Sequence, residues 1–99
     1  MIALEDCIAL CGLTEEEVLA VAEHERLPLI LAASLGSSLL SQDRGTEKVR
    51  DMIVEDIEQA QRRGNREHAS ALSRVLRGFL QAHPEAGPCK GPWIALFQN

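Results

Sequence analysis

Two long stretches of the chain, 47–63 and 66–83, carry apolar residues at helical spacing and are separated by only Gly64 and Asn65. In the second stretch Leu72, Val75, Leu76, Phe79 and Leu80 fall at i, i+3, i+4, i+7 and i+8. That spacing lines one face of a helix, whereas a half-buried strand alternates at every second residue. In the first stretch Val49, Met52, Ile53, Ile57 and Ala60 share a face. Arg62 and Arg63 suit the negative end of that helix, Gly64 suits the left-handed residue that closes it, and Asn65 suits the start of the next. So short a link makes the second helix fold back on the first, which predicts a C-terminal antiparallel helical hairpin. In a chain of 99 residues the remainder must pack on the apolar stripes of that hairpin, giving one domain.

Upstream, local signals predict three more helices. The segment 2–11 reads as a short helix closed by Gly12, with Leu4, Ile8 and Cys11 on one face. Thr14 followed by Glu17 forms a capping box, flanked by Leu13 and Val18 in staple positions, and Glu15, Glu16 and Glu17 complement the positive end of the helix. This helix is expected over 15–26 with Val18, Leu19 and Ala22 buried. It ends there because Pro28 holds Leu27 extended. Pro28 then opens a helix through residue 41 that is apolar almost all round, which places it at the centre of the core. Its Ala32, Ala33, Gly36 and Ser37 make a patch where another helix can come close. The segment 42–46 reads as a loop, with Thr46 capping the helix that follows. Composition agrees with an all-α small bundle of about five helices. There is no Tyr, one Trp and two Phe, while helix-favouring Ala and Leu are abundant. Pro84 ends the last helix, so 1–83 is expected to form the helical domain and 84–99 a loop with an apolar tail.

The net charge of −5 is uneven: residues 1–41 hold seven carboxylates against one arginine, and 42–83 hold seven acids and eight bases. An acidic first half repels a phosphate backbone, which argues against nucleic-acid binding. The longest apolar run, Leu27 to Leu35, is far shorter than the roughly 20 residues needed to cross a bilayer. Residues 1–11 lack the positive start of a signal peptide, and three cysteines are an odd number. These features lead to an expected cytoplasmic setting with no membrane partner.

Few residues suggest chemistry. Cys7 and Cys11 are four apart on the first helix, too far for a relaxed disulfide, and only Cys89 and a histidine could complete a zinc site with them. They are expected to be small buried hydrophobes. Glu23, His24 and Glu25 alternate acid, base, acid, but helix neighbours point about 100° apart and do not converge on one ion. No histidine has a glutamate three residues before it, as a di-iron bundle requires. The cationic group Arg62, Arg63 and Arg66 could receive an acidic partner, though a solvated helix end partly neutralised by Asp56, Glu58 and Glu67 is the simpler reading. The helices around Pro28 resemble a helix-turn-helix in spacing only, since LILAASLGSSLL has no side chain that reads base edges. There is no phosphate loop and no hydrolase or metalloprotease motif.

The tail is the most suggestive segment. Trp93, Ile94, Leu96 and Phe97 form an apolar cluster that must either fold back on its own bundle or dock on a partner. The sequence is therefore read as a cytoplasmic protein-interaction or regulatory module without cofactor, binding a protein or a second copy of itself. Trp93, Ile94, Leu96, Phe97, Arg62, Arg63 and Arg66 are its candidate contacts. The alternative is a thiol redox or metal protein using Cys7, Cys11 and Cys89.

Overall fold

A computed structural model describes residues 11–87. The helix expected over 2–11, all but Cys11 of it, lies outside the described residues, as do Cys89 and the tail residues Trp93, Ile94, Leu96 and Phe97. The described chain is helical: α1 (Glu15–Glu25), α2 (Leu29–Leu40), α3 (Gly45–Arg62), α4 (Arg66–Ala82) and a single 3-10 turn (Pro84–Ala86). There is no strand among the described residues.

The capping box sets the start of α1. The Thr14 hydroxyl accepts from the Glu17 amide at 3.2 Å, and Glu17 Oε1 accepts from the Thr14 amide at 2.9 Å. Val18 and Val21 are fully buried, with Ala20 and Glu17 beside them. Leu19, expected in the stripe, is instead 46% exposed. The buried face is centred on positions 17, 18 and 21, and residue 19 lies about 100° round the helix from 18. The helix closes with Arg26 in the left-handed region at φ 56°, while the Leu27 amide donates back to the Ala22 carbonyl at 3.0 Å. A non-glycine residue in that conformation costs roughly 1–2 kcal/mol.

Helix α2 corrects the sequence reading most sharply, because it is not the centre of the core. It buries Ala32, Ala33, Gly36 and Leu39, while Ile30 and Leu31 are 48% and 53% exposed. The reason is steric. A Cβ on Gly36 would come within 2.4 Å of Leu13 Cδ1, so the side of α2 that faces the fold has no room for bulk. With the small residues turned inward, the large side chains of the first turn face outward.

The central element is α3, which packs against α1, α2, α4 and the 3-10 turn. It buries Val49, Ile53, Val54, Ile57, Ala60 and one carboxylate, Asp56. Thr46 does not cap it. The helix begins two residues earlier than expected, at Gly45, after Arg44 in the left-handed conformation (φ 61°) and without a side-chain cap. Gly45 is buried where a Cβ would lie 1.4 Å from the Leu39 carbonyl oxygen, so the α2–α3 turn closes too tightly for any side chain.

The α3–α4 link follows its glycine. Gly64 is left-handed at φ 75°, and the Gly64 and Asn65 amides donate back to the Gln61 and Ala60 carbonyls at 3.1 and 2.9 Å. These two bonds satisfy carbonyls that a helix end leaves orphaned. Asn65 then caps α4, accepting from the His68 amide at 3.2 Å. The two helices make the most extensive helix pair, and α4 buries Ala69, Leu72, Leu76 and Phe79. Val75 and Leu80 are half-buried at the margin. The Arg50 guanidinium donates to the carbonyl of buried Ala86, holding the 3-10 turn beside the first half of α3. Among the described residues no helix is long and apolar enough to cross a membrane.

Candidate functional site

The densest chemistry lies where the end of α1 meets the middle of α3 and the start of α4. Asp56 follows Ile53 by three residues and precedes Ala60 by four, which places it on the apolar face of α3. It is 3% exposed, and its Oδ2 has no hydrogen-bond partner. A buried carboxylate without a donor is costly in its charged form. Burial, followed by the charge of Glu23, raises the Asp56 carboxyl to about 7, against the lowering influence of His24 and His68. It is therefore poised to gain or lose a proton near neutrality.

Two histidines border this carboxyl, each bound to acids from another helix. His68 on α4 meets Glu23 on α1 at 2.6 Å through Nε2. His24 on α1 meets Glu25 at 2.7 Å through Nδ1 and Glu55 on α3 at 2.9 Å through Nε2. Partial burial opposes the charged form of His24, but hydrogen bonds to Glu55 and Glu25 and the charges of Asp56 and Glu55 outweigh it and raise its pKa. The cluster thus joins α1, α3 and α4 by paired charges that strengthen when the histidines are protonated.

Beside it opens a pocket of about 240 Å³ lined by Glu23, His24, Arg26, Glu55, Asp56, Glu58, Gln59 and Arg62. Every one of these side chains is polar. Asp56 lies in its wall as the most deeply buried acceptor, and Arg26 and Arg62 are its exposed cations.

The structure does not bring Glu23, His24 and Glu25 onto one point: Glu23 pairs with His68, while His24 pairs with Glu55 and with its neighbour Glu25. Sequence reasoning missed Asp56 as a site residue by assigning it to neutralise the cationic helix end. The overlooked signal was a carboxylate in register with Val49, Ile53 and Ala60 on an apolar stripe. Arg62, Arg63 and Arg66 are all exposed, and among the described residues none of them is in an ion pair. Arg62 shares the pocket with Glu58 and Asp56; Arg63 and Arg66 do not line it. Cys11 is buried, its thiol 3.8 Å from the Leu13 carbonyl. Among the described residues no group of three or more His, Cys, Asp or Glu is arranged to hold a metal ion. Compared with known proteins, the chain matches no family model, no curated protein and no solved structure.

Proposed function

We propose that this chain is a small cytoplasmic protein-interaction or regulatory module that works without catalysis and associates first with a second copy of itself. On this reading the full fold is a five-helix bundle with an antiparallel C-terminal hairpin and an apolar tail. One observation carries the proposal: α2 turns its small residues inward and leaves Ile30 and Leu31 about half exposed. Large apolar side chains held in solvent on one helix face are what an interface core is made of.

The charge distribution favours a second copy as the occupant. The protein carries a net charge of −5, so two copies repel over most of their surfaces. Helix α2, LILAASLGSSLL, has no charged residue at all. Its face is where two like-charged chains can meet without opposing like charges, and a two-fold contact is self-complementary by construction. Trp93, Ile94, Leu96 and Phe97 supply further apolar anchors of the kind that dominate binding energy.

Light scattering over a concentration series tests this reading. The intact chain should be a dimer, and Ile30→Lys with Leu31→Lys should yield a monomer whose helical circular dichroism is retained. Deleting residues 92–99 should weaken the dimer if the tail crosses to the partner. A monomeric intact chain at high micromolar concentration contradicts the proposal.

A further inference from the structure

We infer that the groove between α1 and α4 is the seat of the chain's own apolar segment, residues 93–97. Both helices pack closely on α3 but meet each other far less, and the groove runs between them. Its mouth lies between the first turn of α1 and the last turn of α4, a volume of about 650 Å³ lined by Glu15, Glu16, Ala82 and His83 among others. It continues past Leu19, Ala20, Ala71 and Val75, a mostly apolar stretch of about 510 Å³, as far as the Glu23–His68 pair. Leu19 stands 46% exposed in its wall. Gly78 lines the mouth, exposed, with no atom within 4 Å of the position a Cβ would take. A glycine inside a helix costs stability relative to alanine, and it suits a wall that another segment approaches closely. Nothing among the described residues fills that gap.

Reach, charge and bulk select the occupant. The 3-10 turn after α4 packs on α3 and α4 with Ala86 buried, so the chain is released at Gly87, at the end of α4 where the groove opens. Residues 88–92 can span about 16 Å, more than the roughly 8 Å of helix between Gly78 and His83. Residues 93–97, also about 16 Å when extended, fit within the roughly 21 Å of α4 from His68 to Ala82. Lys90, three residues before Trp93, complements the exposed Glu15 and Glu16 at the mouth. Residues 93–97 carry no charge, as the apolar stretch beyond the mouth requires. Trp93 and Phe97 supply the bulk that a wall without a side chain admits, whereas residues 1–10 hold no aromatic.

The inference is separate from self-association through α2, because Ile30 and Leu31 line no part of this groove. In a single chain the segment covers its own groove, which removes Leu19 and the tail's aromatics from water together. In a dimer it joins the contact only by exchange with the equivalent groove of the second copy.

Trp93 is the chain's single tryptophan, so its fluorescence reads this segment alone. In the full chain its emission should be blue-shifted from that of N-acetyl-tryptophanamide, and acrylamide should quench it severalfold less. Gly78→Gln fills the gap in the wall, and Leu19→Lys places a charge on the apolar stretch. Each should restore most of the quenching while helical circular dichroism is retained, since both positions are exposed. Protection should persist in Ile30→Lys with Leu31→Lys, and in the intact chain diluted to a monomer. Nuclear Overhauser contacts from the Trp93 indole should reach the Leu19 and Val75 methyls. Quenching equal to that of the free amide overturns the inference. So does protection that neither groove variant alters, which puts the segment elsewhere, or protection lost on dilution, which puts it on a second copy. Contacts to the Leu19 and Val75 methyls from Leu4 or Ile8 instead of Trp93 overturn it in favour of the N-terminal segment. An intact chain that is monomeric yet protects Trp93 upholds this inference while contradicting self-association.

Discussion

Helices α2 and α3 exchange the positions that their compositions suggest. Helix α2 has no charge and mostly apolar residues, yet leaves Ile30 and Leu31 about half exposed. Helix α3 mixes charged and apolar residues throughout, yet touches every other helix among the described residues and buries Ile53, Ile57 and Val49 almost completely. What places a helix is the size and pattern of its side chains, not its mean hydropathy. A helix with its small residues on one side is drawn in by that side, and its large residues are left for solvent or a partner. A helix with one clean apolar stripe, and room for Val54 beside it, can be packed from several directions.

The largest expected effect separates the two helices directly. Ile53→Ala on α3 should cost about 2–5 kcal/mol in urea unfolding, whereas Ile30→Ala on α2 should stay within about 0.5 kcal/mol under monomeric conditions. Equal costs would break the comparison. Leu76→Ala, opposite α3 on α4 and fully buried, should fall in the same range of about 2–5 kcal/mol.

Next comes the junction between the two helices. Gly45→Ala places a methyl where the Leu39 carbonyl stands, and the backbone must shift to admit it. A loss of roughly 1–3 kcal/mol is expected. Gly64→Ala meets no atom within 4 Å but keeps φ at 75°, so it should lose only about 1 kcal/mol, by thermal denaturation. The pair thus sorts steric from conformational need at two turns of the same fold.

Asp56 sharpens the comparison from the polar side, since α3 tolerates a buried carboxylate on its core face. Its folded pKa is raised from 3.8 to about 7. A raised group contributes stability that is complete below its unfolded value and disappears as pH climbs through the folded one. Wild type should therefore lose stability between pH 4 and 7 relative to Asp56→Asn, by about 4 kcal/mol in all. The gap should close again at low pH. Burial opposes the charged form of His24, but Glu55, Glu25 and the Asp56 charge raise its pKa, so its own contribution is lost as pH rises through that raised value. A pH-independent gap would show that Asp56 has the same pKa in the folded and the unfolded chain.

The smallest effect expected is at α1. Thr14→Ala removes an observed cap and should cost about 1 kcal/mol. Arg26→Gly relieves a left-handed arginine and should gain up to about 1 kcal/mol.

Local signals made the all-helical class legible. Thr14 with Glu17, and Gly64 with Asn65, act within a few residues of themselves, so no distant contact can hide them. The stripe on α4 was legible because its buried members, Leu72, Leu76 and Phe79, follow one helical period. Depth was not legible. That Ile30 and Leu31 face out depends on the closeness of Leu13 to Gly36, and the start of α3 depends on the approach of Leu39 to Gly45. The site was half visible. Glu23 and His24 drew notice as neighbours in sequence, but their partners Glu55, Asp56 and His68 come from two other helices. Only the register of Asp56 with Ile53 and Ala60 announced it in advance.

The central claim is that the outward face of α2 is an interface between copies of this chain. Methyl NMR through a dilution series tests it most directly, with Ile30, Leu31, Ile53 and Ile57 assigned. The account predicts that the Ile30 and Leu31 methyl signals move with concentration along a two-state path while Ile53 and Ile57 stay fixed. Signals of Ile30 and Leu31 that do not move over the range, in a chain that stays monomeric throughout, would contradict it.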